Sequence, residues 1–382
     1  MHGYYAKFIF NKAWCIFMYI KEVFLQGFRN LEPLHMTPSP GINLFYGENA
    51  QGKTNFLESL YFCAMGRSMR SRHEQQLIAF GEGESHIRLE LVSSYRQDRI
   101  DVHLKREEKK GIAVNGIPIR RLGDLFGTLY TVIFSPEDLS LVKNGPGERR
   151  RFLDMELCQL NKVYYYDLQQ YYRILKHRNN LLKEIRKKPA LADTLSIWDS
   201  QLAERGEKII AARSRFLARL DEIAAKKQDL LTGGRDALRT EYKPNCEGGA
   251  LAERLERSTE RDILLGSTQN GPHKDDIVFL VNGRDVKQFG SQGQQRTTAL
   301  SARLAEIDLI REETGESPVL LLDDVLSELD ENRQRFLMES IEGMQAFLTC
   351  TGIEDAVKKY LNRENLFHVS RGRITGEAWQ KK

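Results

Sequence analysis

The sequence predicts an α/β fold in which both ends of the chain build one parallel sheet and a predominantly helical insertion lies between them. Three observations carry this prediction: a glycine-rich loop between a strand and a helix near the N-terminus, an apolar run ending in two aspartates near the C-terminus, and a long intervening stretch with helical periodicity. Together they require the two ends of the chain to meet around the insertion.

The glycine-rich loop is the segment Gly47-Glu48-Asn49-Ala50-Gln51-Gly52-Lys53-Thr54, which fits the pattern G-x-x-x-x-G-K-[ST]. The apolar run 42–46 before it predicts a buried strand, and Phe56, Leu60 and Ala64 after it recur at helical spacing. In this setting backbone amides and the helix N-terminus bind phosphates. The loop therefore predicts binding of a nucleoside triphosphate, with Lys53 reaching the β- and γ-phosphates and the Thr54 hydroxyl holding Mg²⁺.

The apolar run 319–322 ends in Asp323 and Asp324. Continuous apolar runs are typical of central parallel strands that are covered on both faces, and open sheets bind ligands at the carboxyl ends of such strands. We expect Asp323 to hold Mg²⁺, directly or through water. Asp324 follows at the strand tip, where it is the predicted general base that orients the attacking water.

A third motif, Ser291-Gln292-Gly293-Gln294-Gln295, precedes a long helical pattern. A helix N-terminus with free amides stabilises phosphate, which makes Ser291, Gly293 and Gln294 predicted nucleotide contacts. In ABC-type ATPases this role is played in trans, because the segment of one head caps the γ-phosphate held by the other. The segment 327–330 resembles the D-loop of the same seam, so an ATP-dependent homodimer is expected.

Further motifs accompany the nucleotide motifs: Ser135-Pro136-Glu137-Asp138-Leu139, Arg149-Arg150-Arg151-Phe152-Leu153-Asp154, Gly271-Pro272-His273-Lys274-Asp275-Asp276 and the run 323–330. With them the chain resembles the RecF family of bacterial SMC-related ATPases, from about Met18 to the C-terminus. Asn144 departs from the glycine usual there. Thr349-Cys350-Thr351, expected to follow a late strand, stands where transporter ATPases carry a switch histidine, which the family also lacks.

The resemblance implies an ABC/SMC-type ATPase head with a helical arm, acting as a weak, DNA-stimulated ATPase of recombinational repair. It further implies action on single- and double-stranded DNA at gaps, with RecO and RecR as partners and RecA indirectly, in support of DNA replication and the SOS response. Two alternatives stay open: a transporter ATPase subunit, which needs a surface for membrane helices, and a metabolic phosphate-loop kinase, which needs no Ser291 motif.

Pattern changes divide the chain into four parts. Residues 1–17 are expected to be a surplus, non-native start, residues 18–150 and 265–382 form the two halves of the head, and residues 151–264 form the arm. An apolar stripe in the arm ends near Gly233-Gly234, and Asn-Gly pairs at 115–116 and 282–283 predict hairpins. Antiparallel helices of about forty residues reach only ~60 Å, which suits a short clamp.

DNA contact is predicted from the uneven distribution of charge. Residues 143–188 hold twelve Lys/Arg against five Asp/Glu, together with five tyrosines. Basic side chains neutralise phosphates and exposed aromatic rings stack on bases, so Arg149, Arg150 and Arg151 are candidate contacts. The alternative, that the tyrosines are core residues and the charges solvate a helix, stays open. Further candidates after the first helix are Arg67, Arg70 and Arg72.

Composition agrees with a cytoplasmic machine. The chain is 41% hydrophobic and 29% charged with a net charge of +4, and no apolar stretch approaches the ~20 residues that span a bilayer. Its five cysteines are scattered without a C-x-x-C pair, which gives no zinc site and no disulfide framework. We therefore expect reduced thiols and no membrane partner.

Overall fold

The computed structural model describes residues 18–71, 73–352, 355–358 and 365–376. The predicted N-terminal extension and Arg72 lie outside the described residues. The strands in the described ranges are β1 (Tyr19–Gln26), β2 (Leu34–Met36), β3 (Ile42–Tyr46), β4 (Glu84–Val92), β5 (Gln97–Lys105), β6 (Gly111–Val114), β7 (Ile117–Pro118), β8 (Thr131–Phe134), β9 (Leu238–Lys243), β10 (Asp276–Val281), β11 (Arg284–Asp285), β12 (Val319–Asp323), β13 (Ala346–Cys350), β14 (Leu366–Ser370) and β15 (Arg373–Gly376).

The helices in the same ranges are α1 (Lys53–Met65), α2 (Leu139–Lys143), α3 (Pro146–Leu160), α4 (Lys162–Ile185), α5 (Leu195–Thr232), α6 (Leu251–Arg257), α7 (Thr259–Leu265), α8 (Val286–Phe289), α9 (Gln292–Thr314), α10 (Glu331–Ser340) and α11 (Asp355–Lys358). None of these helices combines the length and the apolar character that a membrane crossing needs.

A mostly parallel sheet joins the two ends of the chain, in the order β15-β14-β3-β13-β12-β8. Strand β3 pairs in parallel with β13 and β14, and β12 pairs in parallel with β13 and β8. Neighbouring residues of β3 enter two different apolar clusters, Leu44 on one side and Phe45 on the other. The apolar runs predicted at 42–46 and 319–322 are therefore central strands covered on both faces, as expected.

Helix α1 lies between this sheet and a second, antiparallel sheet with the order β2-β1-β4-β5-β6-β7. It contacts β12 and β13 on one side and β4 and β5 on the other. This double cover explains why α1 is buried from Phe56 to Met65, without the polar face of an ordinary surface helix. The loop that precedes α1 is thereby fixed from both sides.

The helical insertion is organised around α4 and α5, which run antiparallel. Arg178 on α4 pairs with Asp199 on α5 at 2.5 Å, whereas the earlier Asp167 pairs with the later Arg205 at 2.6 Å. At 38 residues, α5 is about 57 Å long and ends at the left-handed Gly233, as the sequence predicts. It also packs on α9, so the arm joins the head through its longest helix.

Buried charges tie the insertion to the segment before β10. The fully buried Arg213 of α5 bonds to Asp154 on α3 at 2.7 Å and to Asp275 at 2.8 Å. Tyr171 on α4 bonds to His273 at 2.6 Å, and burial lowers the pKa of His273 to about 4. The Gly271–Asp276 motif is therefore the junction between arm and head.

Three details differ from the expectations or add to them, and the hairpins agree. Helix α3 begins at Pro146, across the predicted boundary at 150, and β9 is a strand inside the stretch expected to be mostly helical. Thr349 and Cys350 lie within β13 rather than after it. The hairpins are as predicted, because Asn115, Gly116, Asn282 and Gly283 all adopt the positive φ that a tight turn requires.

Candidate nucleotide site

The phosphate loop lies between β3 and α1 and needs its glycines. Gly47 has φ 153° and Gly52 has φ 117°, and a Cβ at Gly47 would lie 2.2 Å from the carbonyl oxygen of Val369 on β14. Ala50 also takes a left-handed φ of 62°. These angles open the loop 47–54 around its own amides, which is the shape that receives phosphate oxygens.

The remainder of the loop is held by the C-terminal hairpin. Residues 48–50 are exposed, and Gln51 is half-buried. The side-chain oxygen of Gln51 accepts from the Arg371 amide at 2.6 Å, and its carbonyl accepts from the Gly372 amide at 2.9 Å. The β14–β15 hairpin therefore fixes the middle of the loop.

Lys53 opens helix α1 and turns back over the loop. Its ammonium donates to the carbonyl of Gly47 at 2.6 Å and to that of Glu48 at 2.8 Å, and the residue is 7% exposed. Burial lowers the pKa of Lys53, while the nearby Asp324 opposes that shift. A cation held on loop carbonyls is placed to exchange those partners for phosphate oxygens.

Thr54 and Asp323 are in contact although 269 residues separate them in sequence. The Thr54 hydroxyl donates to Oδ1 of Asp323 at 2.9 Å, and the Thr349 hydroxyl donates to the same oxygen at 2.7 Å. These side chains stand at the carboxyl ends of β12 and β13 and at the start of α1. The parallel register of β12 and β13, with Asp323 opposite Thr349, fixes this arrangement.

Asp324 occupies an unusual backbone conformation at the tip of β12. Its φ is 52°, and its amide donates to the Thr349 hydroxyl at 3.0 Å. Its carboxylate oxygen Oδ1 is buried and has no hydrogen-bond partner in the described part of the chain. Burial raises the pKa of Asp324. A buried, unpaired carboxylate oxygen in a rare conformation is typical of a group kept for a ligand, water or proton.

The donor set at this edge fits Mg²⁺. No group of three or more His, Cys, Asp or Glu side chains able to hold a metal occurs among the described residues. Mg²⁺ is normally held by one or two carboxylates together with phosphate oxygens and waters rather than by an all-protein cage. Here the Asp323 carboxylate is the single carboxylate ligand, and the Thr54 hydroxyl, 2.9 Å from it, adds a second protein oxygen.

The Ser291 motif forms a self-capped helix end. The Ser291 hydroxyl accepts from the amide of Gln294 at 3.2 Å, and the Gln294 side chain accepts from the Ser291 amide at 3.0 Å. Gln294 also donates to Asp236 at 2.9 Å. A Cβ added at Gly293 would make ordinary van der Waals contact with the Ser291 hydroxyl at 3.8 Å and with Arg333 at 3.9 Å. No hydrogen bond within the described ranges joins this end to the phosphate loop.

The segment after Asp324 links the aspartates at the end of β12 to the Ser291 helix. Arg296, in the first turns of α9, donates to the carbonyl of Glu328 at 3.2 Å and pairs with its carboxylate. Asp330 caps α10 by accepting from the Arg333 amide at 3.0 Å. The predicted D-loop thus lies between Asp324 at the tip of β12 and the Ser291 helix.

The arginines predicted to contact DNA differ in exposure, and one prediction needs correction. Arg149 is 4% exposed and bonds to both carboxylate oxygens of Asp276, at 2.6 and 3.0 Å. A buried guanidinium with a bidentate partner is not free to neutralise a phosphate, so Arg149 joins α3 to β10 instead. Arg150 is half-buried and donates to the Asp275 carbonyl, whereas Arg151 is exposed.

The remaining candidates for DNA contact are two exposed arginines and the tyrosines of α4. Arg67 and Arg70 are both exposed, after the end of α1. Tyr164, Tyr165 and Tyr171 are buried, so for them the alternative of core packing holds, while Tyr166 is half-buried and Tyr172 is exposed.

Sequence reasoning missed several residues around the site. The sequence places Thr349 only where transporter ATPases carry a switch histidine, yet its hydroxyl donates to Asp323. Glu58 was not considered, although it lies one helical turn after Thr54 and is fully buried. Its position four residues after the phosphate-loop hydroxyl was the available signal, because residues at this spacing share a helix face.

Comparison with known proteins adds family evidence. The model of the "RecF/RecN/SMC N terminal domain" family matches residues 19–373. The "DNA replication and repair protein RecF" of Lachnospira eligens is 47% identical over 362 residues, covering 94% of this chain and 100% of that relative. The protein of the same name from Agathobacter rectalis is 45% identical over 357 residues, covering 94% and 99%.

Solved structures agree. The recombination mediator protein RecF-ATP of the RecFOR pathway superposes with a TM-score of 0.89 at 37% identity, covering 96% of this chain and 100% of that one. A head domain of Smc, bound to the C-winged helix domain of ScpA, superposes with a TM-score of 0.56 at 14% identity, covering 95% and 98%. The second likeness shows a shared fold.

Proposed function

The chain belongs to the RecF family of SMC-related ATPases, and from that premise we propose that it is an ATP-driven DNA clamp of recombinational repair. Relatives that match nearly the whole chain are named DNA replication and repair proteins, and one solved relative is a recombination mediator with ATP. The contact between Thr54 and Asp323 is the observation that carries the proposal, because it assembles one nucleotide site from both ends of the chain.

Nucleotide binding is assigned to the loop 47–54. Lys53, already on the carbonyls of Gly47 and Glu48, exchanges these partners for the β- and γ-phosphates. Mg²⁺, held by Thr54 and Asp323, would offset the charge of the phosphate oxygens. Thr349 keeps the Asp323 carboxylate turned toward Thr54. The site thus supplies charge and orientation before hydrolysis begins.

Hydrolysis is assigned to Asp324. Its buried and unpaired oxygen is free to accept a hydrogen bond from a water, as a general base must. The Thr349 contact to its amide keeps the strand tip in the left-handed conformation. We expect slow turnover, suited to a switch and stimulated by DNA.

Closure is assigned to a second copy of the chain. The Ser291 helix end is exposed and is capped only by its own Ser291 and Gln294 side chains, and no hydrogen bond in the described part of the chain joins it to its own phosphate loop. In the proposed ATP-bound homodimer, Ser291, Gly293 and Gln294 of one head cap the γ-phosphate held by the other head. Each site is then completed by the partner.

The closed dimer is proposed to enclose DNA. The candidate contacts are three exposed arginines and one half-buried arginine: Arg67, Arg70, Arg151 and Arg150. The two halves of the head, 18–150 and 265–382, carry the arm 151–264, whose length suits one duplex or gap junction. RecR and RecO are the proposed partners, with RecA acted on indirectly, in the cytoplasm.

The test is ATP turnover with and without gapped duplex DNA. We expect several-fold stimulation by DNA that falls as salt is raised, because contacts to phosphates release counterions. Lys53→Met serves as the control for contaminating ATPase. An ATP turnover rate that does not change with DNA would contradict the proposal. Stimulation by membrane vesicles would then favour a transporter subunit, and stimulation by small phosphate acceptors would favour a kinase.

A further inference from the structure

Glu58 is a buried carboxylate beside the nucleotide site that the mechanism above does not use. It lies on α1 one turn after Thr54, and its residue exposure is 0%. Burial alone would raise the pKa of Glu58, but hydrogen bonds from Arg29, Arg70 and Ser68 hold it below its ordinary value. The group is therefore an anion inside the head.

Three side chains from two segments converge on this carboxylate. Arg29 donates to both of its oxygens, at 3.0 and 3.1 Å, and Arg70 donates to one of them at 2.6 Å. The Ser68 hydroxyl donates to Oε1 at 2.5 Å. One negative charge thus meets two guanidinium groups, which leaves a net charge of +1 in the cluster.

Both arginines sit on backbone that has few alternatives. Arg29 has φ 53°, and its own amide donates to the Leu77 carbonyl at 2.7 Å. The amides of Arg70 and Ser71 donate to the Ser68 hydroxyl, at 3.1 and 2.7 Å. Glu58 is therefore the point at which the segment after β1 and the turn after α1 are fixed to the phosphate-loop helix.

A cleft of about 610 Å³ opens beside this cluster. Its lining includes Arg29, Asn30, Asn55 and the exposed Phe80. Asn55 directly follows Thr54, and the Asn30 side chain lies 3.1 Å from the position of a Cβ at Gly52. The cleft therefore begins where the phosphate loop ends, and its wall offers a cation, amides and an aromatic ring.

We propose that Glu58 is a positioning residue of the ATP site. Its carboxylate, which Arg70 also contacts, holds Arg29 in the wall of the cleft, so that the cleft binds the part of ATP beyond the phosphates. This inference rests on the proposed binding of ATP at the loop 47–54. The physical reason is preorganisation: a guanidinium already fixed by a bidentate carboxylate loses less rotational freedom on binding than a free one.

The experiment compares two ligands that share the phosphates and differ in the rest, ATP and inorganic tripolyphosphate, each with Mg²⁺. We expect wild type to bind ATP more tightly than tripolyphosphate. In Glu58→Gln the arginines lose their anchor while the local positive charge rises by one. The selectivity, taken as the ratio of the two dissociation constants, should fall by about tenfold, through weaker ATP binding and unchanged or tighter tripolyphosphate binding.

A ratio of affinities is unaffected by the fraction of inactive protein, which separates positioning from simple destabilisation. Asp262→Asn is the matched control, because Asp262 is equally buried and pairs with Arg178 on the arm, away from the cleft; its ratio should equal that of wild type. Arg29→Gln leaves Glu58 paired with Arg70 and should also lower the ratio, which keeps the test available if Glu58→Gln does not fold.

Two results would overturn the inference. An unchanged ratio in folded Glu58→Gln would mean that Glu58 only stabilises the head. A wild-type ratio near one would mean that the cleft takes no part in ATP binding, although ATP binding itself would stand. Wild-type protein that binds neither ligand would instead overturn the proposed function together with this inference.

Discussion

The phosphate-loop half and the Ser291 half of the proposed site are held in different ways. In the first, functional side chains bond to one another: Thr54 and Thr349 both donate to Asp323. In the second, Ser291 and Gln294 cap each other at an exposed helix end. The first half is complete within one chain, while the second presents a free end. The difference matches the proposed homodimer, in which one copy binds nucleotide and two copies enclose it.

The helix that bears Ser291 is anchored far from its functional end. Arg303, 8% exposed, bonds to Asp138 at 2.8 Å and to Glu306 at 3.0 Å, and lies 3.8 Å from Glu156. One guanidinium therefore meets three carboxylates from three segments. The phosphate-loop half is thus organised at the reacting groups, and the Ser291 half is organised by a buried ionic cluster along α9.

The largest expected effect tests the first half. Lys53→Met removes the cation that lies over the loop, so ATP hydrolysis should fall by about a thousandfold and ATP-dependent dimerisation should disappear. Thermal unfolding should show an intact fold. Lys227→Met, which removes a half-buried lysine of α5 that pairs with Asp308, should leave turnover unchanged. Normal turnover in Lys53→Met would remove the assignment of the loop.

The next effect separates the two aspartates. Asp324→Asn should keep ATP binding and closure but slow hydrolysis by about a hundredfold, so its DNA complex should outlive that of wild type. Asp323→Asn should weaken Mg²⁺-dependent ATP binding and closure together. The measurement is the DNA dissociation rate at fixed ATP and ionic strength. Release as fast as that of wild type by Asp324→Asn would show that hydrolysis does not time the clamp.

A smaller effect tests the second half. Ser291→Arg adds bulk and charge at the free helix end, so ATP affinity of the single chain should stay normal while hydrolysis falls at least about tenfold. Ser291→Ala removes only the cap, which costs about 1 kcal/mol of stability, and should lower hydrolysis less. Loss of ATP affinity in monomeric Ser291→Arg would place Ser291 at its own chain's site.

The smallest effect concerns the anchor of α9. Burial raises the pKa of Glu156 to about 7, with Arg303 opposing the shift and Asp138 adding to it, and burial also raises the pKa of Glu306. The folded protein then keeps a proton that the unfolded chain releases, so stability should fall by about 2 kcal/mol as pH rises from 5 to 8. Glu156→Gln cannot ionise and should flatten this dependence in thermal unfolding. An equally steep dependence in the variant would assign it to other groups.

The strands, the loop and the hairpins could be predicted because their signals are local. Apolar runs at 42–46 and 319–322, glycines at fixed offsets and Asn-Gly pairs each specify a backbone conformation within a few residues. The meeting of Thr54 with Asp323 also followed, since carboxyl ends of parallel strands share one edge of a sheet.

Side-chain partners over long separations could not be predicted. Arg149 sits in a run of three arginines that looks like a phosphate contact, but its partner Asp276 is 127 residues away. Helical periodicity likewise did not tell which tyrosines of α4 face the core. The spacing from Thr54 indicates only the helix face of Glu58, and no spacing in the sequence indicates its partners Arg29 and Arg70, which reach it through tertiary packing.

Complementation between two inactive variants tests the central claim, a site shared between two chains, most directly. A dimer of one Ser291→Arg chain and one Lys53→Met chain keeps a single composite site with an intact loop and an intact Ser291 end. ATP-dependent association should therefore appear in the mixture and in neither variant alone, with part of the hydrolysis restored. A mixture as inactive as its components would contradict this account, because it would place both motifs in the same chain's site.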